Sequence, residues 1–215
     1  AVCEQLETPA EAKARGSKSV VKRGVVRLVT SGTLTEDSLL SARENNYLCS
    51  FSVLRDDSAF AWVDVSTGDF YVQSCPQVSF GPMLSQLNPA EVLISDTNYD
   101  TFIDQTNEFG TTLTPLSPAS FDSSSNNKRL CNFYKVKSLD GFGNFLRAEI
   151  SALGAIIDYL EITQKGKLPA LKAPIKENLE KFMQIDASTR RNLELTQTLS
   201  GSKKGSLLDV IDRTV

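Results

Sequence analysis

Two carboxylates stand where metal-dependent phosphodiester chemistry would need them. Asp64, in Trp62-Val63-Asp64-Val65-Ser66-Thr67-Gly68, falls late in a β-like run and just before a glycine turn; Asp96 follows the apolar run Val92–Ser95. Two-metal hydrolysis requires several carboxylates converging on ions about 4 Å apart. A third and fourth carboxylate are missing from the expected places, and the alternative for Asp64 is a turn aspartate bonded to nearby backbone N–H groups. The nuclease reading, with Asp64 as its acid, is thus the weaker alternative, and no catalytic or metal-binding residue is assigned. Gly141-Phe142-Gly143 has Leu146 where a dinucleotide fingerprint needs its third glycine. Gly201-Ser202-Lys203-Lys204-Gly205-Ser206 lacks P-loop spacing and reads as a helix-to-helix turn, so no ATP site can be assembled. Histidine is absent from all 215 residues, which removes serine–histidine triads, cysteine–histidine nucleophiles and nearly all zinc sites. Cys3, Cys49, Cys75 and Cys131 lie far apart and read as reduced thiols of a cytoplasmic protein.

Charge is unevenly spread. Residues 11–30 hold Lys13, Arg15, Lys18, Lys22, Arg23 and Arg27 against Glu11 alone, whereas residues 31–125 hold two arginines and thirteen acids. Only the N-terminal edge is cationic enough to approach nucleic acid, and charge alone favours a solvated loop there.

These groups are positioned by a legible series of elements. Thr8-Pro9-Ala10-Glu11 is a capping box with proline at the first helical position, closed by Gly16. Val25–Thr30 reads as a strand, and Thr35 caps a short helix carrying Leu39 and Leu40. Three strands follow, Tyr47–Leu54, Ala59–Val65 and Phe70–Gln73, joined by turn chemistry as an antiparallel meander. The period then changes: helix near 79–87, buried strand at 92–95, helix near 98–108, strand at 111–116, helix capped by Asp122. Apolar residues at 139, 142, 146, 150, 153, 157 and 160 predict one long helix over Ser138–Lys165, roughly 40 Å long at 1.5 Å per residue. Residues 167–174 read as a linker, and Asp186 caps a helix through Arg190, Leu193 and Leu199 that ends at Gly201. The order β-β-β-α-β-α-β-α is that of a ribonuclease H-like α/β fold with a mixed sheet. No stretch is apolar enough to span a bilayer, and no signal peptide is visible. The chain starts without Met and stops within an amphipathic stretch, which reads as a piece of something longer.

Three stretches together resemble the bacterial MutS family of DNA mismatch-repair proteins: Val2-Cys3-Glu4-Gln5-Leu6 with Thr8-Pro9; Val25-Val26-Arg27-Leu28-Val29-Thr30-Ser31-Gly32-Thr33-Leu34; and Met183-Gln184-Ile185-Asp186-Ala187-Ser188-Thr189-Arg190-Arg191-Asn192-Leu193-Glu194-Leu195. Asp64–Gly68, Asn88-Pro89-Ala90-Glu91 and Gly141–Gly143 fall between them in the expected order, so the likeness covers the whole chain. Ser31 departs from the family, in which many relatives have proline there. The resemblance implies three parts. Residues 1–33 would be the tail of an α+β mismatch-binding domain, and residues 34–184 a connector with the ribonuclease H-like fold but no nuclease activity. Residues 185–215 would open an all-α core. It further implies that the family's mismatch-reading Phe-x-Glu lies upstream and its Walker ATPase downstream, so ATP and Mg belong to the full-length protein. Mismatched double-stranded DNA, MutL and a second copy as homodimer are the implied partners, with no membrane. Lys13, Arg15, Lys18, Lys22 and Arg23 would then lie near DNA phosphates, and Asp100 and Asp104 are candidates for the surface that meets MutL.

Overall fold

The computed structural model describes residues 1–16, 19–34, 45–165, 168–178 and 185–212. The helix expected at Thr35, and Lys18 among the basic residues, lie outside them.

A six-stranded mixed sheet forms the centre. Its strands are β3 (Tyr47–Leu54), β4 (Asp57–Asp64), β5 (Phe70–Ser74), β6 (Glu91–Ser95), β7 (Thr112–Leu116) and β8 (Ile175–Lys176), in the order β7-β6-β3-β4-β5-β8. The meander pairs antiparallel, from Tyr47 opposite Asp64 to Leu54 opposite Asp57, and from Ala59 opposite Ser74 to Val63 opposite Phe70. The other three pairings, β3 with β6, β6 with β7 and β5 with β8, are parallel. β8 is new relative to the sequence reading, because two residues give no period and an exposed edge position needs no apolar run.

Alternation along the strands divides the interior into two cores. Cys49, Phe51, Phe60, Trp62, Val92 and Ile94 face α2 (Phe80–Leu87) and α3 (Tyr99–Phe109). There Phe51, Phe80 and Phe102 meet with ring centroids 4.7–5.2 Å apart, each pair contributing about 1 kcal/mol beyond its buried area. Leu48, Ala59, Ala61, Val63 and Leu93 face the other way, toward α5 (Arg147–Thr163), over which α4 (Ser123–Tyr134) is laid. Small residues make this second layer possible. Ser50, Ser52, Ala59 and Ala61 leave room for α5, whose buried face carries Ala148, Ser151, Ala152, Gly154 and Ala155.

The long helix is shorter than its period predicts. α5 begins at Arg147, and its 17 residues span roughly 26 Å. Ser138 caps only a 3-10 turn, Leu139–Gly141; Gly143 then takes φ +140°, and Leu146 is extended at the head of the helix. Leu139 and Phe142 still reach the same core as Leu153 and Ile157, which is why an apolar period runs through a segment that is not helical. Gly141-Phe142-Gly143 accordingly precedes the helix and does not open it.

Before the sheet, β1 (Val2–Gln5) and β2 (Arg23–Arg27) form an antiparallel pair, with α1 (Pro9–Arg15) between them behind the Thr8–Glu11 capping box. β2 stops at Arg27, short of the expected Thr30, because Leu28 N–H turns to donate to Thr163 O of α5 at 2.7 Å. After the sheet, α6 (Ala187–Asn192) ends far short of Gly201. Glu194 adopts φ +49° and its carboxylate accepts Leu199 N–H, so the chain doubles back into α7 (Leu207–Ile211). Asp186 does cap α6. Hydrogen bonds from Ser188 and from the backbone and side chain of Thr189 hold its carboxyl down to about 2.

Candidate functional site

Asp64 is a turn residue. Its Oδ1 accepts from Ser66 N–H at 2.9 Å, Ser66 Oγ–H at 2.5 Å and Thr67 N–H at 3.4 Å, while its carbonyl accepts Gly68 N–H. Asp96 is at the other end of the sheet. Asp64 is level with Tyr47, whereas Asp96 lies two residues beyond Ile94, which is level with Phe51. That separates the two by six residue levels, about 20 Å along the strands, and no ion pair could bridge them. The nuclease alternative is therefore corrected: the motif that suggested it builds a turn. Asn in place of Asp64 keeps the Oδ1 acceptor, so Asp64→Asn should change unfolding free energy by less than about 1 kcal/mol, and Asp64→Ala lower it by about 1–2 kcal/mol. Urea titration distinguishes these; equal losses would contradict the turn role.

What the turn holds is the chain leaving α5. Gly68, at φ +74°, lies so close to Ala170 O that a Cβ there would overlap it. Lys172 N–H donates to Gly68 O at 2.8 Å, and Lys172 Nζ pairs with Asp69 at 2.7 Å. That ion pair draws the Asp69 carboxyl down and the Lys172 ammonium up from their ordinary values. Tyr134 O–H also donates to Lys172 O, at 2.8 Å. The outgoing chain then runs along β5 as β8, where Glu177 N–H donates to Val72 O. It ends against Glu149 in the first turn of α5. This fully buried carboxylate accepts from Lys176 Nζ at 2.9 Å, Ser74 Oγ–H at 2.7 Å and Leu146 N–H at 2.7 Å.

The incoming chain is held at the opposite end of α5. Beside the Leu28–Thr163 bond, Thr30–Thr33 folds into a tight turn in which Thr33 Oγ1 accepts Thr30 N–H. Gly32 N–H then donates to Oε2 of Glu91 at 3.0 Å. Oε1 of that carboxylate, at the head of β6, accepts Tyr159 O–H and Thr114 Oγ1–H, each at 2.7 Å. Glu91 is 2% exposed, so all three donors replace water it has lost. Burial pushes the Tyr159 hydroxyl well up, keeping it a proton donor.

Sequence reasoning did not find Glu91 or Glu149 as hubs. The signal available was a carboxylate at the head of a wholly apolar run in Glu91-Val92-Leu93-Ile94, and another beside the apolar stripe of α5.

Of the basic residues, Lys13, Arg15, Lys22 and Arg23 are exposed. Arg15 pairs with Glu7, whose carboxylate also accepts Lys22 N–H, while Lys13 lies on α1 and Arg23 starts β2. Asp100 and Asp104 are exposed on α3 in a row with Glu108. The outer face of α4 carries a shallow depression of mixed character, in which Cys131 and Val136 lie among Asn127, Lys128, Asn132 and Lys137. Gly201–Ser206 lies in turns between α6 and α7, in keeping with its reading as a connection. Among the described residues no helix is long and apolar enough to cross a membrane.

Comparison with known proteins agrees with this anatomy. The family model of MutS domain II matches residues 46–172, and that of MutS domain I matches residues 1–38. Over its whole length the chain is 60% identical to the DNA mismatch repair protein MutS of Ruegeria sp. (strain TM1040), and 57% to those of Cereibacter sphaeroides (strain ATCC 17023) and Paracoccus denitrificans (strain Pd 1222). It spans about a quarter of the length of these relatives, 24–25%. With a domain model covering five of the six strands of its central sheet and both packing layers, the chain belongs to the MutS family.

Proposed function

We propose that this chain is the connector-bearing piece of a mismatch-repair ATPase, which recognises mispaired bases and uses ATP to signal to MutL. The piece joins the DNA-binding end to the ATPase end and carries no catalytic site of its own. Residues 1–33 close the mismatch-binding domain, 34–184 form the connector, and 185–215 begin the helical core. The sheet supports a ribonuclease H-like connector: its first five strands lie in spatial order 3-2-1-4-5 with only the second antiparallel to the rest.

One observation carries the coupling role: the segment entering the connector and the segment that follows α5 toward the connector's end are bonded to opposite ends of the same helix. Leu28 and the Glu91 hub hold the incoming chain at the last turns of α5, and Lys176 reaches Glu149 in its first turn. A displacement of either segment is thus delivered to one buried rigid element, a physical route for coupling.

Lys13, Arg15, Lys18, Lys22 and Arg23 lie near the phosphate backbone of mismatched double-stranded DNA in this reading, as a nonspecific electrostatic contact. The outer face of α4 and the acidic row on α3 are the surfaces open to MutL. ATP and Mg bind elsewhere in the full-length protein, which works as a cytoplasmic homodimer. Apolar Leu207, Leu208, Val210 and Ile211 of α7 are about half exposed or more, as a helix beginning a larger core would be. The reading is tested by exchange: replacing the corresponding quarter of a 60%-identical relative with this chain should preserve mismatch repair, scored as mutation frequency in a strain lacking its own gene. A chimera that folds, binds DNA and leaves the mutation frequency at the deletion level would refute it.

A further inference from the structure

We propose that Glu91 is the positioning residue that fixes how the incoming segment, residues 28–33, sits on the connector, and that this joint must be closed for a mismatch signal to pass. The inference deepens the coupling role proposed above and rests on it.

Glu91 differs from an ordinary buried carboxylate in what its donors belong to. Gly32 N–H comes from the incoming segment, Thr114 from β7 and Tyr159 from α5, so one side chain ties that segment to two elements of the connector. No cation is among these partners; the bonds are all to neutral N–H and O–H donors. Such a hub rigidifies what it joins when fully satisfied, and withdrawal of one donor leaves a buried lone pair at a cost. Steric fit points to the same joint. A Cβ on Gly32 would lie 2.9 Å from both Glu91 Cβ and Leu48 Cδ1, closer than real side chains approach, so only glycine lets the segment seat this deeply. Leu28 N–H on Thr163 O gives the segment a second attachment to α5, four residues after Tyr159. Asn46 Nδ2 donates to Ser31 O at 3.0 Å as a third attachment, so the joint opens by losing three hydrogen bonds, none of them a rung of the sheet.

Three substitutions separate positioning from bulk stability. Glu91→Met keeps length and volume but removes the acceptor. Gly32→Ala displaces the segment while leaving Glu91 intact. Glu91→Gln can still accept the residue 32 amide while donating to the two hydroxyl oxygens, and serves as the conservative variant. In this chain, hydrogen exchange at the residue 28 and 32 amides should rise roughly tenfold or more in the first two variants, with little change in the third. Ala61 and Val63 in the central strand β4 should keep their parental rates. Parental protection at residues 28 and 32, or acceleration matched at Ala61 and Val63, would overturn the joint. The same changes placed in the chimera should abolish the response of ATP hydrolysis to mismatched DNA, with the DNA-free rate unchanged and Glu91→Gln retaining the response. A retained response in Glu91→Met and Gly32→Ala, with the joint opened by exchange, would overturn the signalling role. An unsubstituted chimera without any mismatch response would instead count against the proposed function, and the exchange result would still decide the joint.

Discussion

Gly154→Ala is expected to lower the unfolding free energy by about 3 kcal/mol, the upper range for forcing volume into a packed core. Gly154 lies where α4 crosses α5, and a Cβ there would overlap Cβ and Cγ of Asn126. Asn126 cannot step aside cheaply. It is fully buried, its Nδ2 donates to Ser120 O at 2.8 Å and Ser151 O at 3.1 Å, and its Oδ1 accepts from Arg129 Nη1. Arg129 in turn pairs with Asp158 at 2.8 Å. Lifting α4 would break the Asn126–Ser151 bond and the Arg129–Asp158 pair and open the apolar layer over Leu153 and Ile157. For a chain of this size about 3 kcal/mol corresponds to a fall in melting temperature of about 9 °C. Calorimetry of the parent and variant checks it; a change below about 1 kcal/mol would mean the two helices are not in the contact described.

Gly68→Ala should act locally where Gly154→Ala acts globally. The added Cβ meets a backbone oxygen, Ala170 O, and the residue must also hold φ +74°, which non-glycine residues adopt at a penalty of about 1 kcal/mol. The segment crossing the turn therefore lifts, losing Lys172 N–H to Gly68 O and the Lys172–Asp69 pair. β8 contributes only two residues to the sheet, so it should follow. Expected results are cleavage after Lys172 and Lys176 by trypsin at least about tenfold faster than in the parent, with β3 to β7 resistant. Unchanged cleavage would show that the outgoing chain does not depend on the Gly68 socket.

The sheet was legible because its signals were local. Turn chemistry at Asp56-Asp57 and Ser66–Asp69, and the switch from alternation to helical spacing after Ser74, located five of its six strands within two residues. Helix α5 was misjudged at its start. Leu139 and Phe142 pack into the same core as the helix, and periodicity records which side is buried, not whether the backbone is helical. The end of α6 was missed for a related reason: Glu194 at φ +49° carries no glycine to announce the turn. Asp64 shows the converse case: its residue types also fitted metal chemistry, but the turn reading that the sequence favoured is the one the structure bears out, far from Asp96. The coupling hubs were hidden because each joins residues far apart in the chain: Gly32 with Glu91 and Tyr159, Ser74 with Glu149 and Lys176. Pairing at that range has no local signature, although a carboxylate set in an apolar run marks where to look.

The central claim is that α5 holds the incoming and outgoing segments as one body. It is tested most directly by the distance between spin labels, carried on unnatural amino acids so that the native cysteines stay unlabelled, at Lys22 and Ala173, both exposed. One narrow distance distribution is expected in the parent chain, broadened by Gly68→Ala. A broad or multiple distribution in the parent itself, equal to that of the variant, would show that the two segments move independently and would contradict it.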